Sequence, residues 1–364
     1  MNILIAAGGT GGHLFPGIAL AEAFRQKDER NRILFVGTHR DQERRMHLPP
    51  GCAFEAISAA SLKGQRPLRM LIALYCLITG TLQSRAIMKR FCPHLVVGFG
   101  GYVSAPVLAA AYLRGVTRAI HEQNALPGLT NRVLGTIAHL IFLSFQEALP
   151  YFSPARTVVA GNPLRREHLT RSAAPPPAPF TILTLGGSQG SHQINAALTG
   201  ALPDLLPIRD KLAIIHQTGA ADLESVREAY SRQGFAAEVV PFIQQMAGAY
   251  GRAHLIISRA GATTLAELMA HHKASILIPY PHAADNHQHH NAMALVRRNA
   301  AEMIDPQQLT GRMLAERILH FYHHPDALRA MGERAGTLAR PEAGQKMVEH
   351  CYTMLSGETS CTRA

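Results

Sequence analysis

"NILIAAGGTGGHLFPGIALAEAF", residues 2–24, decides the fold. A short apolar run leads into a turn of four glycines around Thr10, then His13, then apolar residues at helical spacing. A short run bounded by glycine reads as a strand, and one this apolar is buried on both faces. Strand, glycine turn and helix in succession open a doubly wound α/β sheet.

The same succession returns at "TILTLGGSQGSHQINAAL", residues 181–198. Around the first motif, strands are expected at Asn2–Ala6, Arg32–Val36, Leu95–Gly98, Arg118–His121, His139–Leu143 and Thr157–Ala160. Around the second they are expected at Phe180–Leu185, Leu212–His216, Glu238–Pro241, Leu255–Ser258 and Ser275–Pro279. Helical patterns such as "DLESVREAYSRQ" and "TTLAELMAHH" separate them, and that alternation implies parallel sheets. The expected fold is α/β, with two Rossmann-like doubly wound lobes facing each other across a cleft. A connector with five prolines, "GNPLRREHLTRSAAPPPAPF" at residues 161–180, sets the division at 1–163 and 164–340. A last helix over 341–357 could pack back on the first lobe; the pattern itself leaves its lobe open. Ligands bind such sheets at the carboxyl ends of the strands, so both glycine turns should line that cleft.

A chain of 364 residues exceeds one ordinary core, and 47% hydrophobic with 17% charged residues excludes a disordered or fibrous class. The net charge of +11 suits phosphorylated substrates or an anionic membrane face. No run of five basic residues occurs, Trp is absent, and aromatics are not interleaved with basic residues, so nucleic acid is not an expected partner. The five cysteines are scattered without a C-x-x-C, which favours a reducing compartment. No uninterrupted apolar run reaches the roughly 18 to 20 residues that span a bilayer. The N-terminus lacks the basic start of a signal peptide, so a cytoplasmic location is expected.

Three glycine-rich turns follow strands, at Gly8–His13, Gly98–Tyr102 and Gly186–Gly190. Glycine lets a ligand approach the backbone, and the helix start behind each turn offers N–H groups and the positive end of a dipole. Phosphate or sugar-phosphate is the natural ligand. None is G-x-G-x-x-G and no G-x-x-x-x-G-K-[ST] occurs; a dinucleotide enzyme survives only through Asp41, beyond the second strand.

His13 stands at a helix start, where the dipole favours a neutral imidazole able to accept a proton. The plainer alternative is a hydrogen bond across the turn. In "SRAGATTLAELMAHH", residues 258–272, the helix-start N–H groups of Ala262–Thr264 can bind an anion or a sugar hydroxyl. Glu267 can then accept from both hydroxyls of a ribose; alternatively, Thr264 and Glu267 form a capping box. The segment "PHAADNHQHHNAMAL" holds His282, His287, His289 and His290, but its spacing fits no standard zinc pattern and no D-x-D occurs, so no metal is assigned. Over 68–91, Leu71, Leu74, Tyr75, Ile78 and Leu82 fall at helical spacing among basic residues. That suits an interfacial helix on an anionic leaflet, or an ordinary core helix with a basic rim.

The blocks "GGTGGHLFPGIALAEAF", "GFGGYVSAPVLAA", "HEQNALPGLTNR", "GNPLR", "GGSQGSHQIN", "SRAGATTLAEL" and "DNHQHHNA" occur in this order. Together the chain resembles the bacterial peptidoglycan N-acetylglucosaminyltransferases, glycosyltransferase family 28. The resemblance implies a GT-B fold and inverting transfer of N-acetylglucosamine from UDP-N-acetylglucosamine to the C4 hydroxyl of undecaprenyl-pyrophosphoryl-N-acetylmuramoyl-pentapeptide (lipid I), giving lipid II. It implies no cofactor and no required metal, and a peripheral place on the cytoplasmic face of the inner membrane. Association with other cell-wall synthesis proteins is a family-level expectation. By resemblance, the Ile243 backbone reads the uracil and Glu267 holds the ribose. Ser188 and Arg165 meet the pyrophosphate region with Thr10, Gly11 and Gly12. Ala262, Thr263, Thr264, Leu265 and Ala266, with Asn124 and Gln288, position the sugar, and Arg259 supports that loop. His13 and Glu122 line the acceptor side as the candidate catalytic residues, and Leu71–Leu82 become a membrane patch; His13 is expected to be the base from its place at a helix start, not from the resemblance. The family's paired glutamines appear here as His287 and Gln288, which bears on sugar selectivity. Another UDP-sugar enzyme of this fold, such as a lipid glycosyltransferase or 2-epimerase, and a non-enzymatic UDP-sugar or membrane-binding protein are the rival readings.

Overall fold

The structure, a computed structural model, describes residues 1–8, 11–39, 41, 48–60, 67–169 and 179–361, the side chains of 67–70 and 358–361 excepted. The chain divides into two compact units, Met1–Arg166 with Arg340–Ala364, and Glu167–Ala339. Leu164, Arg165 and Arg166 therefore fall in the first unit, just past the boundary expected from the proline connector.

The first unit is built on seven parallel strands: β1 (Asn2–Ala6), β2 (Arg32–Thr38), β3 (Ala53–Ile57), β4 (Leu95–Gly98), β5 (Thr117–Glu122), β6 (Leu140–Leu143) and β7 (Thr157–Val159). Their order is β3-β2-β1-β4-β5-β6-β7. The central strand pairs Ile3 with Ile33 on one side and with Leu95 on the other. Ile3, Leu4 and Ile5 have no exposed surface on either face, which is why the run is apolar without alternation. The helix Gly11–Lys27 covers one face through Leu14, Ile18 and Phe24. The last helix, Ala343–Cys361, joins the same cluster through Met347, Val348 and Cys351.

The second unit has six parallel strands: β8 (Phe180–Leu185), β9 (Leu212–Gln217), β10 (Ala236–Val240), β11 (Leu255–Ser258), β12 (Ala274–Leu277) and β13 (Glu302–Met303). Their order is β10-β9-β8-β11-β12-β13. In each sheet the winding reverses once, between β1 and β4 and between β8 and β11. Binding crevices of doubly wound sheets open at that reversal.

Two strands escape the sequence pattern, β3 and β13. The first, "AFEAI", is an edge strand with a charge at its centre, and the second has two residues. Neither carries the apolar run that marks a buried strand.

The helix Pro67–Phe91 buries Ala73, Ser84, Ile87 and Met88. A side chain at Gly80 would meet the Ser58 carbonyl, so glycine lets the helix lie close on the body of the unit. Its outer surface exposes Leu71, Ile72, Leu74, Tyr75, Ile78 and Leu82, Tyr75 by 67%. Within Leu71–Phe91 an 18-residue stretch reaches a mean hydropathy of 1.4, so by length and composition this helix could cross a membrane. The polar residues Thr79, Gly80, Thr81, Gln83 and Ser84 interrupt the apolar run in the sequence without lowering the average far enough. Its packed inner face makes it a surface helix of the first unit.

Candidate active site

In the first unit, the ends of β1, β4 and β5 bring their polar residues together. Gly100 and Gly101 adopt φ of +85° and +70°, a region that side chains disfavour, and turn the chain after β4. A methyl group on Gly101 would lie 3.4 Å from His13 Nε2, so this second glycine turn makes room for the histidine that ends the first. His13 Nδ1 lies 3.1 Å from Gln123 Oε1. Behind it, Gln123 Nε2 donates to the His121 carbonyl at 3.1 Å and lies 3.0 Å from His121 Nδ1. His121 Nε2 lies 3.0 Å from the Gly161 carbonyl. Complete burial pushes the His121 imidazole down to about 4, so it is neutral in ordinary buffers.

Successive residues of β5 point to opposite faces, and Glu122 turns away from this chain. Its carboxylate is 2% exposed. It accepts from Asn124 N at 2.9 Å, Asn124 Nδ2 at 3.2 Å, Gly128 N at 3.2 Å and Asn131 Nδ2 at 2.9 Å. Burial pushes its pKa up, and those donors hold against the rise. Asp41, the acid that a dinucleotide enzyme would need for a ribose, accepts from Thr38 N at 2.9 Å and Thr38 Oγ1 at 2.7 Å through one oxygen. It is buried inside its own turn, which removes the sequence argument for a dinucleotide. Gly11 and Gly12 begin the first helix, while Thr10 lies outside the described residues. Arg165 lies in this unit, its guanidinium 5.0 Å from the centre of the Phe15 ring.

In the second unit, Gly186–Gly190 closes a tight turn after β8. Gly190 has φ +76°, and a side chain there would strike the Thr218 carbonyl. Ser188 is exposed at its tip. Ser191 caps the next helix and accepts from Arg259 Nη2 at 2.7 Å. The other end of the Arg259 guanidinium donates to the Ile278 and Pro279 carbonyls at 3.1 and 3.0 Å, so this arginine ties three loops together. Gln288 Oε1 accepts from Ala260 N at 3.2 Å and Tyr280 N at 2.9 Å, which points its amide Nε2 away from those two groups. Gln288 follows Asp285 and Asn286, both at left-handed φ of +54° and +53°, a strained pair of the kind that gathers at binding sites. The Ile243 N–H donates to Gln217 Oε1 at 3.2 Å, and Gln217 Nε2 donates to the Gly187 carbonyl at 2.8 Å. One glutamine thereby joins the glycine turn to the Ile243 segment.

The helix Ala262–Ala270 starts at Gly261, with no side-chain cap. The capping-box alternative for Thr264 and Glu267 is not what forms. Ala262, Thr263 and Thr264 hold the first-turn positions, whose N–H groups an α-helix does not satisfy internally, and Leu265 and Ala266 pack into the core. Glu267 accepts from the Tyr250 hydroxyl at 2.9 Å, and His168 Nε2 lies 3.5 Å from its other oxygen. His271 stacks on Tyr250 with ring centres 5.0 Å apart. Burial, and the Glu267 charge beside it, push the Tyr250 hydroxyl well above its usual range, so it stays a donor.

The histidines of 282–290 do not converge. His287 Nδ1 meets the Ala284 carbonyl at 2.7 Å, His282 packs on Tyr280, and the rings of His289 and His290 stand 6.0 Å apart. Among the described residues no group of three or more His, Cys, Asp or Glu side chains could hold a metal ion.

His121, Gln123, Gln217 and Tyr250 are the functional neighbours that motif reading passes over. A signal for the first two exists: "HEQN" puts consecutive polar residues at the end of an apolar strand beside the winding reversal.

Two parallel sheets, each with a glycine turn and helix start at its reversal, are the architecture of the GT-B class of nucleotide-sugar enzymes. Residues 3–143 match the model of the glycosyltransferase family 28 N-terminal domain, and residues 181–347 match that of the family 28 C-terminal domain. The chain belongs to glycosyltransferase family 28. It is 47% identical to the UDP-N-acetylglucosamine–N-acetylmuramyl-(pentapeptide) pyrophosphoryl-undecaprenol N-acetylglucosamine transferase of Myxococcus xanthus, covering 98% of this chain and 93% of that one. It is 48% identical to the protein of the same name from Geobacter sulfurreducens, over 96% and 97% of the two chains. The crystal structure of Acinetobacter baumannii MurG superposes with a TM-score of 0.76 at 30% identity, over 96% and 98% of the two chains.

Proposed function

We propose that this chain transfers N-acetylglucosamine from UDP-N-acetylglucosamine to the C4 hydroxyl of N-acetylmuramoyl-pentapeptide carried on undecaprenyl pyrophosphate. The observation that carries this reading is 47 to 48% identity, across both units, to proteins named for that transfer.

The uracil and ribose of the donor fall to the second unit. Glu267, held by Tyr250, accepts from the ribose hydroxyls. With the Ile243 N–H given to Gln217, the polar group of that residue left for the uracil is its carbonyl. Ser188, Arg165 and the turn Thr10–Gly12 meet the pyrophosphate. The helix start at Ala262–Thr264, Gln288 and Asn124 meet the sugar. Arg259 acts one step back, through the loops it ties.

The acceptor falls to the first unit. The acceptor O4 forms its bond to the sugar C1 on the face opposite UDP, the C1–O bond to UDP breaks, and the O4 proton passes to His13. UDP leaves as the anion, and helix-start N–H groups and Arg165 stabilise its growing charge. Glu122, enclosed by four donors from its own loop, organises Asn124 and leaves the base role to His13.

The exposed apolar surface of Pro67–Phe91, flanked by the exposed Arg85, Lys89 and Arg90, seats the first unit on the anionic cytoplasmic leaflet that carries the acceptor. Replacing Leu71, Tyr75 and Ile78 by serine should weaken sedimentation with phosphatidylglycerol vesicles while leaving UDP affinity unchanged; equal sedimentation would remove the membrane role.

Radiolabel transfer from UDP-N-acetylglucosamine to a short-chain acceptor analogue, in EDTA, tests the whole reading. Labelled product supports donor, acceptor and metal independence together. UDP binding without transfer under any condition would move the chain to another sugar-nucleotide activity.

A further inference from the structure

The hydrogen-bond chain behind His13 leaves no choice about where its protons lie. A carbonyl oxygen only accepts, so the His121 ring nitrogen facing the Gly161 carbonyl at 3.0 Å is an N–H, and the Ser144 hydroxyl 3.3 Å from the same nitrogen is then an acceptor too. His121 is fully buried and neutral, and a neutral imidazole carries one N–H, so His121 Nδ1 is an acceptor. That nitrogen takes a proton from Gln123 Nε2 at 3.0 Å. The His121 carbonyl, which also only accepts, meets the same Gln123 nitrogen at 3.1 Å and independently sets the amide's orientation. Gln123 therefore turns its oxygen to His13, and His13 Nδ1 at 3.1 Å must donate. The lone pair of neutral His13 is then on Nε2, the atom that lies against Gly101.

We propose that Gln123 and His121 are positioning residues that hold His13 in the tautomer with its proton on Nδ1, so that Nε2 is the atom that takes the acceptor's proton. The part concerning proton transfer rests on the base role proposed above for His13. The chain is anchored at Gly161, whose φ of +99° aims its carbonyl in a conformation that side chains disfavour. The carboxylates of neighbouring elements are bound elsewhere, Glu122 to Asn124, Gly128 and Asn131, and Asp41 to Thr38. An amide partner thus fixes the tautomer without adding a negative charge that would make the imidazolium persist after proton uptake.

The test uses the full chain with 15N-labelled histidine, the His13 signals being identified by their loss in His13→Asn. Wild-type protein should show His13 protonated at Nδ1 and bare at Nε2; the reverse assignment overturns the proposal. Gln123→Leu should lower kcat about 10- to 100-fold with KM for UDP-N-acetylglucosamine unchanged. Gln123→Glu, close in shape, should move the acidic limb of the kcat/KM profile upward by about one pH unit, since a carboxylate within hydrogen-bond distance favours the charged imidazole. An unmoved limb in a folded Gln123→Glu protein also overturns the proposal. If His13→Asn keeps its kcat while the tautomer is as assigned, the base reading fails and the positioning of His13 stands.

Discussion

Each unit carries a fully buried histidine one residue before the end of a parallel strand, and each is hydrogen-bonded to an amide side chain. In the first unit, His121 and Gln123 form a line that ends at half-buried His13. In the second, His216 Nε2 lies 3.0 Å from Asn195 Oδ1, and Asn195 Nδ2 donates to the Thr218 carbonyl at 2.9 Å. The other nitrogen of His216 accepts from the Tyr230 hydroxyl at 2.8 Å, and Tyr230 is buried. One line opens on a group that can exchange a proton with a substrate. The other stops at buried Tyr230 on one side and runs through Asn195 to the Asp222 carboxylate, 2.8 Å away, on the other, and it braces the sheet. The same chemistry therefore serves reactivity or rigidity according to what stands at its end.

The comparison breaks most visibly at the open end. His13→Ala should lower kcat by about 10²- to 10⁴-fold, the usual share of general-base catalysis, while calorimetry finds UDP bound as before. A comparable loss of turnover in Tyr230→Phe would show that the second line is not merely a brace. In the second unit the substrate-facing acid is Glu267. Glu267→Ala should weaken UDP about 10- to 100-fold, as expected for removing hydrogen bonds to a charged acceptor. Unchanged affinity by calorimetry would move ribose recognition elsewhere.

Acid should affect both lines alike. His121 and His216 are held down to about 4 by burial, below the 6.5 of a free imidazole. As the pH falls through 6.5 the unfolded chain takes up protons that the folded chain refuses, so stability present at neutral pH is lost on the way down to about 4. The loss is about 2 kcal/mol per histidine at pH 5, measurable as a fall in the urea midpoint relative to pH 7. Replacing either histidine by glutamine should flatten that fall; a steep fall in both variants would place the acid sensitivity elsewhere. The smallest effect belongs to Tyr230→Phe itself, about 1 kcal/mol of stability for one buried hydrogen bond, with kcat unchanged.

Much of this frame is legible in the sequence, because apolar strands and glycine turns are local signals. β1, β4, β8 and β11 lie where their apolar runs do, and the turns behind them need glycine for reasons of φ and space. What stays hidden is set by contacts between distant residues. The His121 partner is a carbonyl 40 positions away, and the Tyr250 hydroxyl reaches Glu267 across two helices. Gln217 takes the Ile243 N–H because β9 ends beside that segment, 26 positions away. The Thr264–Glu267 spacing that suits a capping box is local, but Tyr250 claims the glutamate.

The helix Ala343–Cys361 closes the core of the first unit, although the whole of the second unit lies between them in the chain. On the ribosome, Leu14, Ile18 and Phe24 emerge early and wait for Met347, Val348 and Cys351 to cover them. The second unit, one continuous stretch, can finish while the first is still incomplete. The lobe that begins the chain is thus the last to be completed, and an arrested or truncated translation product would present its uncovered face to chaperones or proteases.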